Sequence, residues 1–460
     1  MVGIVSYGAY IPLYRLGKET VGWDLPIEKP VGNFDEDSIT MAVAAGMDCI
    51  DGFDRDAVDG LFFATTTSPY IEKQGAATIA AAVDLRREIL TNDVTNSLRA
   101  GTLAMRSALD SVAAGSAKQV MVTAADCRMG TPGSEFDQTS GDGAAALLLG
   151  DNGVIANVVG SYSISEELMD NWRAEGDNFV RTWEGRFVLE TGYLKILPEV
   201  VSGLMNKLTV TPKDITKAVY YGPNPRRHGE MARILGLDPN TQVQAPLFGK
   251  MGCTGTAYTL MLLVAALEEA KPGDKILLGS YGDGADAYLL EVTDEITKFK
   301  AKRGIKGHLE TKRIRKDIGV RGASVRGLDG SPPSVSARWR ERESIDRLHG
   351  AKCLSCGLVQ YPPQRVCTRC HTKDQREIVR LSDKKGKIFT FSLDYLVPGL
   401  DRPLAITIVD FEGGGRGLFM MADREIEDVR CDAPVEMSFR KLRSSGGVHN
   451  YYWKAIPRRF

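Results

Sequence analysis

An internal repeat constrains this chain more than any other feature. Gly141-Asp-Gly-Ala-Ala-Ala-Leu-Leu-Leu149 returns as Gly282-Asp-Gly-Ala-Asp-Ala-Tyr-Leu-Leu290. Upstream of the first copy, Gly101-Thr102 opens a helical stretch through Ala113, and the strand-like residues 119–124 follow. Upstream of the second, Gly255-Thr256 opens a helical stretch through Ala270, followed by the strand-like 275–280. Earlier still, the strand-like stretch 58–64 pairs with 215–221. Each half therefore reads strand, helix, strand, and this alternation predicts an α/β fold. Three features matched in order point to duplication.

At 460 residues the chain has room for two to four domains. Fifty-eight Lys+Arg against 59 Asp+Glu give a net charge of -1, so no general excess of positive charge marks a nucleic-acid partner. No apolar run reaches the roughly 18–20 residues of a membrane helix. Met1-Val-Gly-Ile-Val-Ser has no basic segment before an apolar one, which predicts no signal peptide and a cytoplasmic protein. Eight cysteines are too few for a disulfide scaffold.

The expected organisation is a first half over 1–165, a second over 166–297, a basic linker over 298–336, a helix with a cysteine cluster over 337–383, and a β domain over 384–460. The linker reading rests on eleven Lys or Arg and two acidic residues between Lys298 and Arg326, followed by a turn-rich stretch. The tail alternates short β-type runs with turns such as Gly413-Gly-Gly-Arg-Gly417, which reads as a small barrel or sheet.

The strongest single motif is Cys353-x2-Cys356 with Cys367-x2-Cys370, ten residues intervening. Four thiolates at this spacing suit tetrahedral Zn2+. A four-cysteine site has no open position, so this zinc is expected to be structural.

The two halves resemble the thiolase superfamily. Within it they are most similar to 3-hydroxy-3-methylglutaryl-CoA synthase, a ketoacyl-synthase-III-like branch. The resemblance rests on the Gly-Thr helices, Ser140-Gly-Asp-Gly-Ala-Ala-Ala, Gly279-Ser-Tyr-Gly-Asp-Gly, and Asn171-Trp-Arg-Ala-Glu-Gly-Asp with Glu184-Gly-Arg-Phe-Val and Thr191-Gly-Tyr193. It covers roughly residues 1–295. The remainder resembles the zinc-ribbon and OB-fold proteins that accompany acyl-CoA-handling relatives. The resemblance implies two βαβαβ-type halves about a pseudo-twofold axis, buried central helices opening on the active site, a coenzyme A thioester as substrate, and at least a homodimer, with a second thiolase-like subunit as a further partner. It implies no nucleic-acid or membrane partner. The family chemistry implied is a cysteine at a helix N-terminus that takes the acyl group, assisted by a histidine and a glutamate.

All three family positions depart from that pattern. The nucleophile position, four residues before the threonine of Gly101-Thr102, falls on Leu98. The acidic position falls on Thr66, and the histidine position on Tyr221 before Gly222-Pro223-Asn224. Cys253 takes the place of a second-half asparagine. Three readings follow. In the first, aldol or retro-aldol chemistry proceeds with no covalent intermediate, with Tyr221, Cys253 and Thr66 as the reactive groups. In the second, Cys253 is a relocated nucleophile for acyl transfer. In the third, the chain is a non-catalytic acyl-CoA-binding partner of an active subunit. Arg226, Arg227 and Asn224 are candidates for contact with CoA. His228 reads as a surface helix residue, and Gly141 and Gly282 as tight-turn and close-packing positions.

Overall fold

The computed structural model describes residues 1–17, 28–300, 302–314, 334–396 and 402–459. The chain divides into two compact units. The first comprises 1–32, 37–80 and 85–318, and the second comprises 33–36, 81–84 and 319–460.

The core of the first unit is a nine-stranded sheet. In chain order its strands are β1 (Gly3–Tyr10), β2 (Gly60–Thr65), β3 (Leu90–Thr95), β4 (Gln119–Asp126), β5 (Gly143–Gly150), β6 (Ala156–Ser165), β7 (Lys217–Tyr220), β8 (Lys275–Tyr281) and β9 (Gly284–Val292). Their spatial order is β7-β8-β9-β6-β1-β5-β4-β2-β3. The duplication is visible in the pairing. In the first half β2 pairs β4 in parallel and β4 pairs β5 antiparallel. In the second half β7 pairs β8 in parallel and β8 pairs β9 antiparallel. The repeated Gly-Asp-Gly thus stands at the start of equivalent strands, β5 and β9.

Strands β1, β2, β4, β5, β8 and β9 are nearly all buried because both faces are covered. All eight residues of β5 are buried, and so are all eight of β1. The helices α1 (Ser38–Ile50) and α2 (Ala100–Ala113) pack on the first half, and α3 (Leu194–Leu208) on the second. Helix α4 (Pro225–Ile234) follows β7. Helix α5 (Tyr258–Leu267) is apolar all round, and every one of its ten residues is buried, as a helix inside a core must be. It begins after a 3-10 turn, Gly255–Ala257, so the expected single helix from Gly255 is divided. Gly101 lets the two central elements touch: a Cβ there would lie 2.6 Å from the Thr256 carbonyl oxygen.

The first part of the stretch expected as a basic linker is folded into this unit. Gly304–Glu310 is a short helix, and Arg313–Ile314 pairs in parallel with Tyr14–Arg15. The backbone amides of Arg303 and Gly304 donate to Asp48, and those of Ile305 and Lys306 to Glu268, which is why basic composition does not leave this segment loose. The turn-rich residues 327–333 lie outside the described residues.

The second unit holds a three-stranded sheet, β11-β10-β12, from β10 (His349–Cys353), β11 (Val359–Gln360) and β12 (Arg376–Arg380). A five-stranded antiparallel sheet follows, β15-β14-β13-β16-β17, from β13 (Gly386–Asp394), β14 (Leu404–Phe411), β15 (Arg416–Met420), β16 (Pro434–Ser445) and β17 (Val448–Pro457). Strand β14 shows why it forms: Ala405, Thr407, Val409 and Phe411 are buried while their alternates are half-exposed, the period of two of a one-sided sheet. Within this unit Asp84 takes Arg347 at 2.7 Å, His349 at 2.9 Å and Arg380 at 2.6 Å. Arg440, buried, meets Asp423 at 2.6 Å, Glu36 at 2.9 Å and Asp35 at 3.3 Å, and Lys454 meets Asp35 at 2.8 Å. The expected polar helix after the linker is two short ones, Val335–Arg340 and Arg342–Ile345, divided at Glu341.

Candidate active site

A cavity of about 330 Å3 opens in the first unit where the loops after β2, β3, β4, β6 and β8 converge. Its walls include Thr66, Leu98, Arg128, Asp170 and Asp283. A larger open hollow of about 710 Å3 lies in the second unit, where Lys385, Lys387 and Arg458 stand among Asp410, Glu412 and Asp432. Of these two, the smaller cavity carries family positions on its wall, Thr66 and Leu98.

Two elbows define the site. At the first, Asn96 takes a left-handed backbone (φ 70°), which asparagine tolerates, and the chain turns through Ser97 and Leu98 into α2. Leu98 is half-buried and packs against the core. Gly282 abuts it so closely that a Cβ there would lie 2.9 Å from the Leu98 Cβ. The second elbow mirrors the first. Gly252 (φ 66°) precedes Cys253, whose amide donates to the Thr139 carbonyl at 2.7 Å while its own carbonyl accepts from Gly141 at 3.0 Å. A Cβ on Gly141 would lie 2.0 Å from the Met251 carbonyl oxygen. Each Gly-Asp-Gly turn thus packs on the elbow of the opposite half, the close approach expected of these glycines.

The second elbow is tied to the loop after β2 through Asp126, a carboxylate at the end of β4 with no solvent exposure. Its Oδ1 accepts from the Thr65 hydroxyl at 3.0 Å, the Thr66 amide at 2.7 Å and the Thr67 hydroxyl at 2.9 Å. Its Oδ2 accepts from the Thr66 hydroxyl at 3.0 Å and the Thr256 amide at 2.9 Å. Gly255 (φ 63°) is required beside it: a Cβ there would lie 2.3 Å from Asp126 Oδ2 and 2.9 Å from Arg128 Cδ.

Tyr221 and Cys253 come together behind the cavity. Both are buried, and each lies in the other's field. Tyr221 sits among Tyr193, Tyr281 and Tyr258, with ring centroids 5.9, 6.0 and 6.2 Å away. Burial pushes its phenol well up, and the field of Cys253 adds to this. Burial also pushes the Cys253 thiol up, against the opposing charge of Arg128 and the Gly255 amide. At neutral pH both groups hold their protons. Thr66 lies on the cavity wall but commits both its amide and hydroxyl to Asp126.

Arg226, Arg227 and Asn224 are not on the cavity wall. Asn224 caps α4, accepting from the Arg227 amide at 3.0 Å and donating to Glu135 at 2.7 Å. Arg227 pairs with Glu230 at 2.6 Å, and Arg226 is exposed. His228, expected at the surface, is buried instead. It stacks on Tyr220 at 4.3 Å, because α4 turns this face to the core, and burial holds its imidazole down to about 4.

Sequence reasoning passed over Asp126, Arg128 and Asp170. Arg128 is buried on the cavity wall, its guanidinium 4.7 Å over the Phe136 ring. Asp170 is largely buried, which raises its carboxyl; a hydrogen bond from Tyr281 and the charge of Arg128 oppose that rise. A charged group ending an apolar strand was the available signal for Asp126 and Arg128.

In the second unit the four cysteine sulfurs lie within 4.8 Å of one another, with Cys353–Cys370 at 3.6 Å and Cys356–Cys367 at 3.5 Å. Zn–S bonds of about 2.3 Å in a tetrahedron put sulfurs roughly 3.8 Å apart, so the cluster fits the metal.

Comparison with known proteins agrees with both units. Residues 341–374 match the rubredoxin-like zinc ribbon domain of ChsH2, and 379–440 match the ChsH2 C-terminal OB-fold domain. The cysteine cluster is therefore a structural zinc ribbon. Over 307 residues the chain is 35% identical to a hydroxymethylglutaryl-CoA synthase of Pyrococcus horikoshii, covering 64% of this chain and 87% of that one. It is 33% identical over 317 residues to the enzyme of the same name from Methanopyrus kandleri, covering 65% and 90%. Among solved structures, an HMG-CoA synthase complexed with CoA aligns with a TM-score of 0.62 at 18% identity, over 68% of this chain and 88% of that one. A 3-oxoacyl-[acyl-carrier-protein] synthase III from Aquifex aeolicus aligns with a TM-score of 0.55 at 19% identity, over 63% and 100%. These structures share the thiolase-type fold. With a third of its residues identical over most of those relatives' length, the chain belongs to the hydroxymethylglutaryl-CoA synthase family, and it carries a zinc ribbon and an OB-fold domain as well.

Proposed function

We propose that this chain is an enzyme acting on a coenzyme A thioester, making or breaking a C–C bond beside the thioester carbonyl without an acyl-enzyme. One observation carries the reading. Leu98 stands at the elbow before α2, on the cavity wall, where the family pattern places the nucleophilic cysteine. A leucine side chain forms no thioester, so the acyl group stays on CoA throughout.

The cavity suits retro-aldol cleavage of a 3-hydroxyacyl-CoA, and the reverse addition. Asp170 takes the β-hydroxyl proton, for which a carboxyl raised by burial is better matched than an ordinary one. The O–H electron pair becomes the carbonyl of the departing fragment. The Cα–Cβ pair becomes the enolate of the thioester. Asp170 then returns its proton to Cα, leaving a shorter acyl-CoA. Tyr221, held protonated, serves as a hydrogen-bond donor, Cys253 as the partner that orients it, and Thr66 as part of the wall fixed by Asp126.

Acyl transfer through Cys253 is less well supported, because burial holds its thiol protonated. A purely supporting role fits poorly with a cavity lined by Arg128, Asp170, Glu167 and Asp283. Arg226, exposed, is the residue at the start of α4 best placed for the CoA phosphates; Arg227 and Asn224 already have partners. Among the described residues strand β3 is an outer strand of the sheet, with half of its residues exposed and none buried, which favours a homodimer formed there. The test is turnover. A panel of 3-hydroxyacyl-CoAs is incubated with the purified chain, and the released aldehyde or ketone is trapped and measured. Carbonyl release matched by the shorter acyl-CoA is the expected result, and no release across the panel, in either direction, refutes the reading.

A further inference from the structure

We propose that Arg128 contacts the thioester oxygen and holds the negative charge that builds there as the enolate forms. This deepens the lyase reading and rests on it.

Without a covalent intermediate, the chemistry concentrates in one species, the enolate. Its oxygen needs a preorganised positive partner in a site sheltered from water, where such a partner counts for most. Two cations stand on the cavity wall, Arg128 and Arg173. Arg173 is exposed and donates to the Thr66 carbonyl oxygen, so its charge is spread toward solvent. Arg128 is only 5% exposed. Its position is fixed at both ends. The chain enters it from the last residue of β4, Asp126, which is held by five hydrogen bonds. The stem passes Gly255, where no side chain intrudes, and the guanidinium lies over Phe136. From there its charge reaches Asp170, Tyr221 and Cys253, groups from three different loops. A guanidinium at that meeting point, opposite the carboxylate that moves the proton, is where a thioester enolate would set its oxygen.

The test separates enolisation from C–C cleavage. In D2O, an acyl-CoA with α-hydrogens is incubated with the full chain. Asp170 removes an α-proton, the enolate forms against Arg128, and a deuteron from solvent returns to Cα. Mass spectrometry of the recovered acyl-CoA reads the exchange. The variants are Arg128→Met and Arg128→Lys, each checked for fold by circular dichroism and thermal unfolding, and each titrated calorimetrically with the same acyl-CoA. Loss of one such donor is expected to slow exchange by about 100-fold or more in Arg128→Met. Partial recovery is expected in Arg128→Lys, with acyl-CoA affinity nearly unchanged in both. Exchange in a folded Arg128→Met within about threefold of wild type would overturn the proposal, since one lost donor should cost at least ten times that. So would an affinity loss as large as the rate loss, which would mark a ground-state binding group. Should Arg128→Met misfold, Arg128→Lys decides alone, and unchanged exchange in it counts against the assignment. A wild-type chain that exchanges α-hydrogens yet cleaves no 3-hydroxyacyl-CoA would sink the lyase reading while leaving Arg128 to be judged by its variants. No exchange in the wild type overturns the Arg128 proposal.

Discussion

Replacing Asp126 by asparagine tests how the site is built. The carboxylate accepts five hydrogen bonds, three at Oδ1 and two at Oδ2. An asparagine keeps one oxygen, best placed at the Oδ1 side. Its amide then faces the Thr256 N–H, donor against donor. The Thr66 hydroxyl can rotate to accept, but a backbone N–H cannot. A buried N–H left without a partner costs about 1–3 kcal/mol, and the three remaining bonds each weaken on losing the formal charge, by roughly 0.5–1 kcal/mol. The total is about 2.5–6 kcal/mol. For a unit of about 300 residues each kcal/mol moves the midpoint by roughly 1.5 °C, so calorimetry should show the first unit melting roughly 4–9 °C lower in Asp126→Asn. The second-unit transition should stay in place. A midpoint within about 2 °C of wild type would refute the view that Asp126 ties the Thr65–Thr67 loop to the second elbow.

Leu98→Cys restores a thiol at the first elbow, and incubation with acetyl-CoA should then give an acetyl-sized mass gain, absent in the wild type; no gain would mean the elbow does not present this position to substrate. Cys367→Ser should release the metal from the zinc ribbon and lower the second unit's melting point by ten degrees or so, since structural zinc contributes roughly 10–16 kcal/mol of binding energy to its fold; an unchanged zinc content by atomic emission would contradict this. Glu36, buried against Asp35 and Asp423 with Arg440 opposing, is raised from 4.5 to about 7, burial being the main cause. Because its folded value lies above its unfolded one, the stability it contributes is full below pH 4.5 and lost as pH rises through 7. Glu36→Gln should flatten that loss in a series of melts from pH 4.5 to 8, and an identical slope in both proteins would count against it.

Much of the architecture was readable because duplication writes itself twice. The Gly-Asp-Gly turns, the Gly-Thr helix starts and the apolar strands fall in the same order in each half, and the structure sets them at equivalent places in one sheet. Leu98 was readable for a related reason: Gly101-Thr102 fixes where the elbow must be. Asp126, Arg128 and Asp170 were not, because each acquires its role from groups far away in sequence. Nothing near Asp126 in the chain announces Thr66 and Thr256 as its donors, and Asp170 meets Tyr281 only through the pairing of β6 with β9. His228 misled because α4 is polar in composition, and only its tertiary setting shows one face turned inward. The basic stretch after Lys298 misled because charge suggested a linker, while backbone amides bound to Asp48 and Glu268 fold its first part.

The central claim is that C–C chemistry proceeds here with no acyl-enzyme. The most direct measurement is rapid-quench intact-protein mass spectrometry during turnover of a 3-hydroxyacyl-CoA that the chain cleaves, on wild type and Cys253→Ala. Steady carbonyl release with the protein mass unchanged at every time point, and with turnover retained in Cys253→Ala, is the predicted result. An acyl-sized adduct that forms and decays at the turnover rate, and that vanishes together with activity in Cys253→Ala, would contradict it.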